Sequence, residues 1–305
     1  MADTLLQSGQ GGDSMIDTRH RITIRQTVAE IEIVELQGAE QMEALQRLQE
    51  EAWGSEERVP ASQMTAAVHN GGLVLAAFIR DRPVGLSYAF PGRKKDAVYL
   101  WSQRLAVDPK LRDRGIGEQL RRVQYQWVLE NGYTEIRWSF DPLRARNAHL
   151  NLNKLGAVGI EYVKDLYGQR HDPANQGLLS DRMIVSWHVV PQTELREVPT
   201  TAPNPLDAVE LPQAFDVDTR IFPLPCQSDV QWIEQQMLQA NRIGVLVCTD
   251  IDEIRAHSPS VALAWRMALR EAMSCLFAGG MQAVALLPVA GEPRLRQYLF
   301  EHRGA

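Results

Sequence analysis

The run over residues 98–107 is rich in β-branched and aromatic side chains and is closed by Asp108-Pro109, a pattern that predicts a buried strand. Past the turn, Ile116, Leu120, Val123 and Trp127 recur at helical spacing and Asn131-Gly132 supplies a stop, which predicts an amphipathic helix. The same reading predicts strands over residues 32–36, 73–80, 84–90, 135–142 and 182–190, the second and third joined by a turn at Asp81-Arg82-Pro83. It predicts helices over residues 40–53, with Met42, Leu45, Leu48 and Trp53 near one face, over 60–69, and over 147–157, where Gly156 marks the end.

The pattern changes after residue 190. Residues 191–205 hold four prolines among Thr and Glu and read as a linker. Beyond them Ser258-Pro-Ser opens a helix whose Val261, Trp265, Leu269, Ala272, Met273 and Leu276 form one stripe. Gly279-Gly280 closes it before a strand over residues 283–287. This order of helix, glycine, strand and proline echoes residues 120–142. Residues 1–20 read as a loose tail, so the expected plan is tail, first domain over 21–190, linker, and a smaller α/β domain over 206–305.

A chain of 305 residues, 45% hydrophobic, can bury a core larger than one average domain needs. Its three cysteines, Cys226, Cys248 and Cys275, are widely spaced and odd in number, which implies neither a disulfide framework nor a metal knuckle. The sequence carries no apolar run of membrane-spanning length and no signal-peptide layout, so a cytoplasmic protein is expected. A net charge of −6 argues against nonspecific nucleic-acid binding despite the local cluster Lys110, Arg112, Arg114, Arg121 and Arg122. Of these, Arg112 and Arg114 are assigned to a ligand's phosphates, and Arg121 and Arg122 to solvent.

The strand-turn-helix unit carries the chemistry. Gly115 and Gly117 lie where the helix begins, so bare backbone lets an anion approach unpaired N–H groups at the positive end of the helix dipole. A P-loop would need Lys and then Ser or Thr after the second glycine, where Glu118-Gln119 stand; a dinucleotide fingerprint would need a third glycine, where Leu120 stands. The remaining pattern, Arg-x-x-Gly-x-Gly between strand and helix, resembles the coenzyme A signature of the GNAT superfamily of N-acyltransferases. The string from Trp138 to Ala157, with Tyr167-Gly168 and the segment from Ser180 to Met183, is similar to a bacterial group of predicted acetyltransferases, some of which acylate amino acids with succinyl-CoA.

The resemblance implies an α/β fold with a mixed, mostly antiparallel central sheet and flanking helices, to which the C-terminal unit adds a degenerate half-domain of the same type. That half-domain would complete the sheet, cover the acceptor pocket or build a homodimer contact. The resemblance also implies acetyl-CoA or another acyl-CoA as cosubstrate, no metal, and a small amine or amino acid as acceptor. Contacts to the coenzyme would come from Leu105, Ala106, Val107, Arg112, Asp113, Arg114, Gly115, Ile116, Gly117 and Glu118, joined by Asn147 and Asn151, which stand four apart on the short helix.

Relatives place a Tyr proton donor on that helix, but counting back from Leu155-Gly156 puts Leu152 there. Candidates for the acid, the base and acceptor orientation are therefore Ser102, Asp141, His149 and Tyr167, each with an ordinary packing or capping role as the alternative. Tyr162 is a further proton donor or pocket residue. Asp181 and Arg182 pair with each other, or Arg182 or Arg144 holds an acceptor carboxylate. The expected activity is direct transfer of an acetyl or succinyl group to an amine. A protein-lysine acetyltransferase, a noncatalytic acyl-CoA sensor and an interaction domain are its rivals.

Overall fold

The computed structural model of the protein describes residues 22–26, 29–168, 178–189, 198–200 and 230–302. The expected tail, and all of the linker except residues 198–200, lie outside the described residues.

Two short strands, β1 (Ile22–Gln26) and β2 (Ala29–Glu35), lead into helices α1 (Ala39–Glu43), α2 (Gln46–Trp53) and α3 (Ala61–His69). Strands β3 (Leu73–Ile79), β4 (Arg82–Lys94) and β5 (Ala97–Val107) follow, then helix α4 (Ile116–Glu130) and strand β6 (Glu135–Phe140). A single turn, α5 (Ala145–Ala148), continues as a π-helix over His149–Lys154, and β7 (Val158–Val163) and β8 (Arg182–His188) come next. The C-terminal part supplies α6 (Val230–Gln239), β9 (Arg242–Cys248), α7 (Ile251–His257), α8 (Pro259–Ala278), β10 (Met281–Pro288) and β11 (Leu295–His302). The eleven strands of the described residues form one sheet in the order β1-β2-β3-β4-β5-β6-β8-β7-β10-β11-β9. Its ladders are antiparallel except for β5 with β6, which is parallel. The architecture is thus a mixed α/β fold with an open, mostly antiparallel sheet and flanking helices, as expected.

Each face of the sheet has its own core. Helices α1 to α3 bury Met42, Leu45, Leu48 and Met64 against Val74, Ala76, Leu86 and Tyr88. On the other face, Ile116, Leu120 and Trp127 of α4 and Trp265, Leu269 and Met273 of α8 belong to one continuous core. The α4 stripe seats deeply because β4 offers Gly85, where an added Cβ would lie 2.9 Å from Leu120 Cδ1. The C-terminal strands join through Ala283 opposite Gly159, on β10 and β7. There a side chain on residue 159 would meet the Ala283 Cβ at 2.9 Å.

Three local expectations need correction. Residues 40–53 form two helices, because the chain turns at Ala44 and Leu45, and that break lets Met42, Leu45 and Leu48 all reach the core. The β3–β4 turn is centred on Arg80, at φ 54°, and Asp81; Pro83 lies inside β4, opposite Phe78, where the register is irregular and the missing N–H is tolerated. The short helix after β6 winds as a π-helix from His149, so residues four apart no longer share a face: Asn147 is exposed and Asn151 buried. The hydrophobic pattern does not disclose strands β1, β7, β9 and β11 or helices α6 and α7.

Candidate active site

Strand β5 pairs with β6 only at Leu100 with Ile136 and Trp101 with Arg137. Past that point the two strands separate, and the edge of β5 from Ser102 to Val107, which includes Leu105 and Ala106, has no strand partner on the β6 side among the described residues. A bulge supports the separation: Tyr88 faces Arg104 and Ala89 faces Ser102, which leaves Gln103 as the extra residue. The bulge also reverses the facing of the side chains. Leu100, Leu105 and Val107 pack toward α4, whereas Ala106 packs toward α1 to α3.

At the far end of this open edge the chain turns into α4. Asp108 caps the turn by accepting from the Lys110 backbone N–H at 2.9 Å and by pairing with Arg82. Asp113 (φ 63°) and Gly115 (φ 80°) adopt left-handed backbone conformations, and Gly115 is the helix N-cap with no side-chain hydrogen bond closing the first turn. Alternating backbone handedness ahead of an uncapped helix start is a concavity suited to an anion. Arg112 and Arg114 are exposed beside it and make no ion pair among the described residues. Asp113 pairs with Arg146 at 2.9 Å. Glu118 pairs with Arg122 at 2.8 Å and Lys154 at 3.4 Å, and the Arg122 hydrogen bond holds its carboxyl below the usual range. The acids near the turn are thereby neutralised, which leaves Arg112 and Arg114 as net positive charge.

Where β5 and β6 part, the structure holds a residue that the sequence pattern assigned to solvent. Arg121 is buried, its guanidinium stacked over the Trp138 ring at 4.2 Å, and burial pulls its pKa down to about 9; among the described residues it has no acid partner. Charged Arg belongs to a polar face by composition alone. Here Gly117, Arg121, Gln124 and Val128 follow a second helical stripe, beside Leu120, that turns toward the parting strands. Arg121 donates to Ser102 Oγ and, at 2.8 Å, to Gln124 Oε1; Gln124 Nε2 donates to Ser102 Oγ at 3.1 Å.

The remaining candidates are placed as follows. Asp141 is buried, accepts from Arg266 Nη2 and from the Leu143 backbone N–H, at 2.8 and 2.9 Å, and has Arg144 at 4.0 Å. His149 is exposed. The Tyr167 hydroxyl is 2.9 Å from Ser139 Oγ on β6, and the Arg182 guanidinium lies 5.4 Å from its ring. Leu152, at the position where the resemblance implies a Tyr, is fully buried. Arg144 binds Asp252 on α7.

Asp181 does not use its carboxylate on Arg182, which instead donates to the Asp181 backbone carbonyl at 2.8 Å. The carboxylate takes Arg270 Nε at 2.8 Å and the Tyr162 hydroxyl at 2.7 Å. Burial alone would raise the Asp181 pKa, but the hydrogen bonds, led by that from Arg270, outweigh it and hold the carboxyl low; burial drives the Tyr162 hydroxyl far up. A lowered native pKa means that Asp181 contributes stability above the unfolded carboxyl value of about 3.9, lost as pH falls through the native value. Unfolding free energies measured between about pH 2 and 6 will therefore show a shallower acid limb in Asp181→Asn than in the parent protein. Parallel curves would mean that the bond carries no linkage.

A surface cavity of about 450 Å³, bordered by Glu35, Gln37, Val98, Trp127 and Tyr133, lies at the opposite end of α4 from the turn at Arg112 to Gly115. Among the described residues no group of three His, Cys, Asp or Glu side chains is placed to hold a metal ion, and no helix is long and apolar enough to cross a membrane.

Residues 39–156, which span α1 through the turn before α4 to the π-helix, match the acetyltransferase (GNAT) family model, over less than half of the chain. Solved structures similar to this chain include an IAA acetyltransferase from Bacillus cereus, 16% identical, covering 52% of this chain and 99% of its own at a TM-score of 0.41. The ribosomal-protein-S18-alanine N-acetyltransferase from Escherichia coli is 16% identical and covers 55% of this chain and 99% of its own, also at 0.41. An aminoglycoside 6'-N-acetyltransferase solved with coenzyme A is 16% identical and covers 52% and 98% at 0.40. No curated protein matches the chain.

Proposed function

We propose that this protein is an acyl-CoA-dependent N-acyltransferase that moves an acetyl or succinyl group to the amine of a small molecule, with an amino acid as the favoured acceptor. The observation that carries the reading is the continuity of two features: an uncapped, cationic helix start and an open backbone edge that runs from it along β5. Pyrophosphate fits the first, through the N–H groups of Ile116, Gly117 and Glu118 with Arg112 and Arg114 alongside. An extended arm carrying amides fits the second, because the backbone groups of Leu105 and Val107, which alternate with the β4-bonded Ala106, face the open side and accept a partner as a strand edge does. The thioester would then lie near the bulge at Gln103, where the strands part.

Transfer at that point joins the acceptor nitrogen to the acyl carbon and breaks the carbon–sulfur bond. The nitrogen gives up a proton, the sulfur leaves with the electron pair of the broken bond, and a proton returns to it, so that amine and thioester become amide and free thiol. The protein has to stabilise charge on the acyl oxygen and hold the amine neutral, and needs no covalent intermediate. On the face that carries α1 to α3, Arg104 is paired with Glu57 at 3.1 Å and lies 4.9 Å from the Trp53 ring, a polar and aromatic wall for the acceptor. Tyr167 and Ser139 extend that wall along β6.

Two observations favour a noncatalytic acyl-CoA sensor instead: buried Leu152 stands where the resemblance implies a Tyr donor, and Asp141 is bound up with Arg266. Free-thiol release from acetyl-CoA and succinyl-CoA, measured against L- and D-amino acids, polyamines and a lysine peptide, separates the two. Acceptor-dependent release supports the transferase and ranks its acceptors; coenzyme binding without release with any acceptor would replace it by the sensor.

A further inference from the structure

Ser102 is 3% exposed and stands on β5 immediately after the last residue paired with β6. Trp138 stands at the matching place on β6. Two donors, Arg121 Nη1 and Gln124 Nε2, point at the single Oγ of Ser102. A hydroxyl has two lone pairs and one hydrogen, so both lone pairs are taken and only the hydrogen remains to be given. Among the described residues no acceptor for it lies within hydrogen-bond distance. Gln124 is fixed in turn, since its Oε1 accepts from Arg121 and its Nε2 also reaches Ser87 Oγ at 3.3 Å.

The cation behind this hydroxyl is unusual. Arg121 has no carboxylate partner among the described residues, and its Nε and the Trp138 Nε1 are buried without a hydrogen-bond partner. A buried guanidinium without a counterion is costly to keep, yet it favours negative charge forming nearby in a site of low dielectric. The acid partner that folding alone would call for is missing, and charge developing between the strands would take its place.

Building on the acyltransferase reading, we infer that the Ser102 hydroxyl donates a hydrogen bond to the acyl oxygen as the amine adds to the thioester. Arg121 and Gln124 are the positioning residues that turn the hydroxyl outward. No bond to Ser102 forms and no proton leaves it; the oxygen charge is stabilised and then collapses as the thiolate departs. Ser102 is therefore neither nucleophile nor base.

The test compares kcat and KM for the full chain and its variants, with thermal unfolding measured alongside. Ser102→Ala is expected to lower kcat by about 100-fold, the scale for loss of one such donor, while KM for acyl-CoA moves by less than about threefold. Ser102→Thr, which keeps the hydroxyl, is expected to recover most of the loss. Arg121→Met and, should that variant fold poorly, Gln124→Leu are expected to lower kcat in the same way. Adding either to Ser102→Ala should then cost little more, because residues acting as a unit are not additive.

Turnover of Ser102→Ala within about threefold of the parent overturns the inference and leaves the acyltransferase reading intact. Losses that multiply in the double variant overturn the positioning role. Absence of turnover in the parent protein with every acceptor removes the acyltransferase reading, and this inference with it.

Discussion

Replacing Arg266 with methionine will lower the unfolding free energy by about 3–5 kcal/mol, because it strands a buried carboxylate. Arg266 is fully enclosed on α8 and its partner Asp141, at the end of β6, is 8% exposed. After the substitution Asp141 keeps the Leu143 N–H and the more distant Arg144, but loses its closest cation. Asp141→Asn combined with Arg266→Met removes the charge as well as its partner and should recover a large part of the loss. The prediction reaches beyond one ion pair, since the pair is one of several bonds from residues near the site to the C-terminal part. Arg270 binds Asp181, Tyr298 donates to the Pro142 carbonyl at 2.7 Å, and the Asn153 side chain exchanges two hydrogen bonds with the Leu286 backbone. Urea unfolding followed by tryptophan fluorescence and by far-UV dichroism should therefore shift together in a single transition. A variant within about 1 kcal/mol of the parent would mean that the two charges are solvated rather than paired.

This coupling bears on the division of the chain proposed from its sequence. The linker composition and the second helix-glycine-strand unit suggested two bodies, and we retain that as a proposal for how the chain is organised. The sheet nevertheless runs without a gap through β7 and β10, and the core beneath it includes side chains of both α4 and α8.

The strands and helices that the sequence disclosed are those with strong local patterns. The β5 run, the stripe from Ile116 to Trp127 and the Ser258 cap with its stripe are locally determined, and the cap does accept from the Val261 N–H. Arg121 was misread because helical periodicity weighs side chains by type, and only the partner strand shows that a cation fills a gap between Ser102 and Trp138. The π-helix was missed for a similar reason. Its extra residue per turn is set by tertiary contacts, among them the pairing of Asn153 with β10, that leave no periodic signal. Arg266 sits among the buried positions of α8 and Arg270 is half-buried beside them, and their acid partners lie more than 80 residues away along the chain, beyond any local pattern.

Gly117→Asp will abolish measurable acyl-CoA binding, or weaken it by at least about 100-fold, which corresponds to about 2.7 kcal/mol, while leaving the fold as stable as before or more so. The two effects have opposite signs for one reason. A carboxylate in the first turn of a helix interacts favourably with the helix dipole, by about 0.3–1 kcal/mol, and residue 117 has room, since a Cβ there would meet Val107 and Leu105 only at 3.7 and 3.8 Å. The same carboxylate occupies the anion concavity and repels phosphates from the N–H groups it now covers. Gly117→Ala, with the bulk of one methyl and no charge, should bind within about tenfold of the parent, a cost of at most about 1.4 kcal/mol. Arg112→Ala and Arg114→Ala should weaken binding by smaller steps and make it less sensitive to salt, because each removes one exposed cation. Calorimetric titration with coenzyme A, alongside thermal unfolding of each variant without ligand, reads both signs at once. Unchanged affinity in Gly117→Asp would remove the phosphate turn from the site, and a drop in both stability and affinity would make Gly117 a packing residue rather than a place for the ligand.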